Sequence, residues 1–144
     1  MVFRKSSRIG GPLSQGAESL TSLANRIKTA LENGDPASFG DLLDANVRWG
    51  PPGDPSPPCQ NKDQVLAWYL RARQSGARAR VSEVSVVGDR ILVGMVVAGT
   101  DSARQSGGQA ARWQLLSLRN GRVVDIVGFE QRVEAVAWAA RPTS

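Results

Sequence analysis

Asp125 interrupts an apolar run, Val123-Val124-Asp125-Ile126-Val127, and is the carboxylate of this chain with the strongest claim to acid–base chemistry. In apolar surroundings a carboxyl keeps its proton to higher pH, and an aspartic acid tuned this way can shuttle protons without histidine. On a solvated face the same residue would instead pair with Arg112 or Arg122 across a hairpin. Tyr69, the only tyrosine, is the second catalytic candidate, a phenol able to donate to a ligand or act as an acid. Histidine is absent, and Cys59 is the only cysteine. Ser-His and Cys-His nucleophilic pairs, His-ligated zinc and Cys-rich metal sites are thereby excluded. Carboxylate, phenol, guanidinium and thiol chemistry remain, with no metal site. Cys59 has no base beside it in the Pro57-Pro58-Cys59 elbow, so it reads as a wall residue and not a nucleophile. Asp54 and Asp63 read as a turn residue and a first-turn helix carboxylate.

The elements that must position these groups are legible from periodicity. Leu20, Leu23, Ala24, Ile27, Ala30 and Leu31 recur at steps of three and four, which predicts an amphipathic helix stopped by Asn33-Gly34. Asp35 as cap and Pro36 at the first helical position start a short second helix that buries Phe39, Leu42 and Leu43. Asn46 to Trp49 reads as a brief strand, ended by Gly50-Pro51-Pro52-Gly53 because proline cannot donate to a ladder. Asn61, with Gln64 three residues on, marks a third helix whose inner stripe is Val65, Trp68, Tyr69 and Ala72. From there the period changes. Ala79 to Val87, Arg90 to Ala98, Gln109 to Arg119 and Arg122 to Phe129 are rich in β-branched residues and read as four strands. Gly88-Asp89 and Asn120-Gly121 are two-residue hairpin turns, Gly99 to Gly108 a longer polar loop, and Gln131 to Ala140 a short terminal helix. Both strand faces are apolar, Ile91, Val93, Met95 and Val97 opposing Leu92, Val96 and Ala98. With helices on one side only, the other side calls for a second copy, hence a homodimer through the sheet face.

A chain of 144 residues with 41% hydrophobic content suits one globular domain. Residues 1–13 read as a disordered basic leader, 14–140 as the domain and 141–144 as a flexible tail. The net charge of +5 is partly a property of Arg4, Lys5 and Arg8 in that leader. Arg71, Arg73, Arg78 and Arg80 form a solvated helix end, without the interleaved aromatics of a nucleic-acid surface. No run approaches the roughly 18 apolar residues of a membrane span, and no apolar signal segment opens the chain. A soluble cytoplasmic protein is expected. Gly107-Gly108 lacks the Lys-Ser or Lys-Thr and helix start of a phosphate loop, so no cofactor is expected either.

The segments ENGDPASFGDLLDANVRWGPPG, NKDQVLAWY and LRNGRVVDIVGFEQRVEA, in that order, resemble the bacterial SnoaL-like group of the nuclear transport factor two-like superfamily. The resemblance implies an α+β cone in which a curved antiparallel sheet wraps around the N-terminal helices and a third helix. It also implies a cavity between them, usually in a dimer. Members include polyketide cyclases, ketosteroid isomerases, epoxide hydrolases, dehydratases and non-catalytic binding domains. The histidine common in the cyclases and dehydratases has no counterpart here, and neither the isomerase's Tyr with two Asp nor the hydrolase's Asp-Arg-Asp maps onto this chain. The expectation is a domain that binds an apolar or aromatic small molecule in a cavity walled by Trp49, Cys59, Trp68, Met95, Trp113 and Phe129. The alternatives are a cofactor-independent isomerase, cyclase or dehydratase using Asp125 or Tyr69, and a protein-interaction or assembly domain.

Overall fold

A stripe of Leu23, Ala24, Ile27 and Ala30, all buried, fastens the first helix to a sheet formed by the second half of the chain. The computed structural model describes residues 12–33 and 36–141. The expected leader therefore lies outside the described residues except at Pro12 and Leu13, which open helix α1 (Pro12–Asn33). The Gly34 stop, the Asp35 cap and residues 142–144 lie outside them too. Helix α2 (Pro36–Gly40) buries Phe39, and α3 (Lys62–Gln74) begins at Asn61, whose side chain accepts from the Gln64 amide at 2.9 Å. The Gln64 side chain reaches one residue further back than a capping box requires, accepting from the Gln60 amide at 2.7 Å.

The strands are β1 (Leu43–Gly50), β2 (Arg78–Val87), β3 (Arg90–Ala98), β4 (Gln109–Arg119) and β5 (Arg122–Phe129). Their order in the sheet is β1-β5-β4-β3-β2. The fold is thus α+β, with one curved five-stranded sheet. β2 to β5 form the antiparallel meander that the periodicity predicts, and β1 adds to its edge by pairing parallel to β5. That pairing extends the first strand beyond the expected Asn46 to Trp49, because both of its ends find partners on β5. Bulges between Val81 and Glu83 and between Ser117 and Leu118 bend the sheet. Both hairpins turn where expected. Gly88 takes φ +64°, and Asn120 and Gly121 take +55° and +77°, the pair of positive values a type I′ turn needs. The loop from Gly99 holds a short helix that periodicity does not show, α4 (Asp101–Gln105), started by the Thr100 hydroxyl accepting from the Ala103 amide at 3.1 Å.

β1 and β2 sit at opposite edges of the sheet, so the elbow and α3 must carry the chain from one edge to the other. Leu23, Ile27, Phe39, Val47 and Val65 pack there on Ile91, Val93, Leu116 and Ile126. The alternate residues Leu92, Leu115, Val127 and Phe129 form a second cluster on the outer face. Its cover is the chain itself: α5 (Arg132–Ala139) lays Ala135, Val136 and Trp138 on them. Helices therefore lie on both sides of the sheet, and much of the outer apolar surface attributed above to a second copy is occupied by this one. No helix among the described residues is long and apolar enough to cross a membrane.

Two contacts anchor α5 and its cluster. Trp113 lies flat across Gly94, its register partner on β3, where a Cβ would stand 2.3 Å from ring atom Cζ3. Gly94→Ala must displace the indole, and we expect a loss of about 1–3 kcal/mol, read as a lower urea midpoint with unchanged m value. Arg132 grips Glu83 of β2 with two bonds, Nε to Oε1 at 2.9 Å and Nη2 to Oε2 at 2.7 Å. The hydrogen bond from Arg132, aided by one from Ser85, draws the Glu83 carboxyl down from 4.5 to about 2. A carboxylate with a depressed pKa stabilises the fold above its unfolded value, and the gain disappears as pH falls through the folded value. Arg132→Gln should therefore lower the melting temperature above pH 4.5, with the difference from the parent chain vanishing by about pH 2.

Candidate functional site

Trp49 ends β1, and its backbone pairs with Cys59 across the elbow: the Trp49 amide donates to the Cys59 carbonyl at 2.9 Å and the Cys59 amide donates back at 3.2 Å. The nine residues between β1 and Gln60 thus close into a proline-walled loop. Gly50 makes room for it, since a Cβ there would lie 2.5 Å from Cβ of Pro57. From α3, Trp68 meets Trp49 edge to face, with ring centroids 4.6 Å apart and an interplanar angle of 66°. Tyr69, one residue on, sets its ring 5.7 Å from Phe39 of α2.

Between these residues and the concave sheet face lies a hollow of about 760 Å³. Trp49, Cys59, Trp68, Tyr69 and Met95 line it, as do Trp113 and Phe129. The last two arrive differently from the expectation: they belong to the outer cluster under α5 and reach the hollow at its rim, beside Glu130 and Glu134. Cys59 is 6% exposed, and burial pushes its thiol pKa up against the opposing pull of Arg71. That favours the unreactive thiol, in keeping with a wall role.

Asp125 is elsewhere. Ile126 faces inward opposite Leu116, so the residue before it must face outward, next to Ser117 of β4 and Arg48 of β1. It contributes to a second depression on the outer side and not to the hollow. Nor does it meet the arginines proposed for a solvated position. Arg112 is on the concave face beside Met95, and Arg122 pairs with Arg119 at the hairpin. Burial raises the Asp125 pKa, with Arg48 and Arg90 pulling the other way.

Polar groups not expected at the cavity do face the hollow. Arg112 and Gln114 stand on the concave side of β4, and Arg112 Nη1 donates only as far as the Ala111 carbonyl, 2.7 Å away. Counting by twos from Leu116 and Leu118 back to Gln114 and Arg112 would have found them. Arg73 and Arg78 also border it, and Arg78 caps the end of α3 by donating to the Arg73 carbonyl at 3.1 Å. The ion pairs among the described residues, Arg104 with Asp101 and Arg132 with Glu83, involve none of these three arginines.

The SnoaL-like domain model matches residues 24–126, from the inner face of α1 into β5. The chain belongs to the SnoaL-like domain family. Solved structures share the fold at low identity. A proposed ketosteroid isomerase from Kribbella flavida superposes with a TM-score of 0.64 and 16% identity, over 80% of this chain and 79% of its own. A proposed polyketide cyclase from Xanthomonas campestris pv. campestris gives 0.62 and 16%, over 87% and 99%. A protein of unknown function with a cystatin-like fold from Xanthomonas campestris gives 0.60 and 20%, over 84% and 98%. No curated protein matches the chain.

In this SnoaL-like domain the outward Asp125 makes its own prediction. An acid whose folded pKa lies above the ordinary value contributes stability that is present below its unfolded pKa and lost as pH rises through the folded one. Asp125→Asn keeps the shape and removes the charge, so the variant should melt higher than the parent chain at neutral pH. The gain should fade to nothing below the ordinary value of 3.8, as followed by thermal unfolding across pH.

Proposed function

We propose that this SnoaL-like domain binds an apolar or aromatic small molecule in the hollow between α3 and the sheet. One observation carries the reading: Trp68 is 45% exposed although it leans on Trp49 and borders the hollow. A large aromatic left uncovered at the edge of a concave, aromatic-walled space offers a ligand a face to stack on. Arg112 and Gln114 on the opposite wall supply the few directional groups such a site needs to orient its ligand.

A catalytic reading keeps one support. Two of the solved relatives are named for cyclase and isomerase chemistry, and Tyr69 places a phenol beside the hollow as the candidate acid. Asp125 would serve it only from the far side of the sheet. The same proposal includes a cytoplasmic protein and a homodimer. The dimer contact would be the strip of Val96, Ala98 and Ala111, which is incompletely covered on the outer face.

Titration with naphthoic acid, read by tryptophan quenching, tests the binding site. Saturable quenching is expected, and Trp68→Ala should weaken it about tenfold, equivalent to about 1.4 kcal/mol of stacking. Unsaturable quenching with both naphthoic acid and neutral naphthalene methanol would sink the proposal.

A further inference from the structure

Strand register sets four side chains in one row across the outer face of the sheet: Arg48 on β1, Asp125 on β5, Ser117 on β4 and Arg90 on β3. With strands about 4.8 Å apart, the two arginines stand at the ends of a row about 14 Å long. This row floors a cleft of about 790 Å³ whose rim carries Asp89, Arg119, Trp138 and Arg141.

Arg90 is the unusual member. It is 8% exposed, its Nη1 donates to the Trp138 carbonyl at 3.2 Å, and its Nε is buried without a hydrogen-bond partner. A buried guanidinium is ordinarily paired, because desolvating a charge without compensation is strongly unfavourable. Asp125 attracts it only through space: Arg90 and Arg48 both act on its carboxyl, but among the described residues no contact ion pair joins Asp125 to either. Arg48 spends Nη2 on the Pro55 carbonyl at 2.7 Å, and Arg141 is held 4.2 Å over the Trp138 ring. Four arginines against two aspartates leave two positive charges unanswered in a recessed site.

We propose that this outer cleft binds a small dianion, a phosphate or a phosphate monoester, between Arg90 and Arg48, with Arg119 and Arg141 closing over it. Guanidinium forks match phosphate oxygens two at a time, and Ser117 at the centre of the row adds a hydroxyl donor. Asp125 sits on the same floor and opposes an anion whenever it is ionised, so removing its charge should strengthen binding. The site is on the opposite side of the sheet from the hollow and is independent of whatever the hollow binds.

The test is a titration of the full chain with inorganic phosphate at about pH 8, where phosphate is dianionic, against sodium chloride of equal ionic strength. The amide resonances of Ser117, Arg119, Asp125 and Arg141 report on the cleft. Saturable shifts at these positions are expected. Arg119→Gln, exposed and safe for folding, should weaken the affinity about fivefold, and Asp125→Asn should tighten it severalfold. Arg90→Lys keeps the charge but loses the fork and should weaken it further. If that variant does not fold, the other two decide. Shifts that chloride reproduces, that fail to saturate, or that are the same in Arg119→Gln and Asp125→Asn as in the parent chain would overturn the proposal.

Discussion

The parallel pairing of β1 with β5 is the contact on which the rest of the molecule depends. It joins residues nearly eighty positions apart, setting Arg48 beside Asp125, Trp49 beside Ile126 and Gly50 beside Val127. Because β2 closes the other edge, this pairing forces the elbow and α3 across the concave face. The hollow exists because that crossing spans the sheet without filling the space beneath it. A long-range pairing of this kind has to meet its loop-closure entropy before its contacts form, and the buried Val47, Val65, Ile126 and Leu43 supply the apolar gain that offsets it.

Alternation along the strands then divides the molecule into two unlike halves. On the concave side, aliphatic and aromatic residues surround a space with a few polar groups. On the outer side, α5 covers one apolar cluster and leaves a row of charged and polar residues next to it. The sheet separates the two sides except at the rim, where Trp113 and Phe129 reach the hollow, and Asp125 lines only the outer depression. This is why the face occupied by Asp125 matters more than its identity, and why polar interaction in the hollow falls to other groups, Tyr69, Arg112 and Gln114 on its walls and Arg73, Arg78, Glu130 and Glu134 at its border.

Much of the fold was legible in advance. The limits of β3, β4 and β5 coincide with the apolar, β-branched runs, and Asn120-Gly121 turns as its sequence requires. Trp49, Cys59, Trp68, Tyr69 and Met95 all meet the hollow, because each lies on the inner stripe of its own element or at the elbow. Less legible was α4, since a five-residue stretch with Ala103 as its one apolar residue carries no apolar period and only the Thr100 cap marks it. The cover provided by α5 was also hidden: its apolar residues were visible, but the side of the sheet on which they would land was not.

The sequence by itself determined the order and type of the elements other than α4, the period of each strand and the exclusion of imidazole chemistry, because these follow from local residue types and their spacing. It also placed Asp125 and Ile126 on opposite faces, since neighbouring residues of a strand point to opposite sides. Which of those faces turned inward was decided only by tertiary structure. That choice rests on Leu116 and the helices competing for the same side, and on α5 folding back over the other. Arg48, Asp125, Ser117 and Arg90 come from four separate strands, and only the assembled register makes them neighbours.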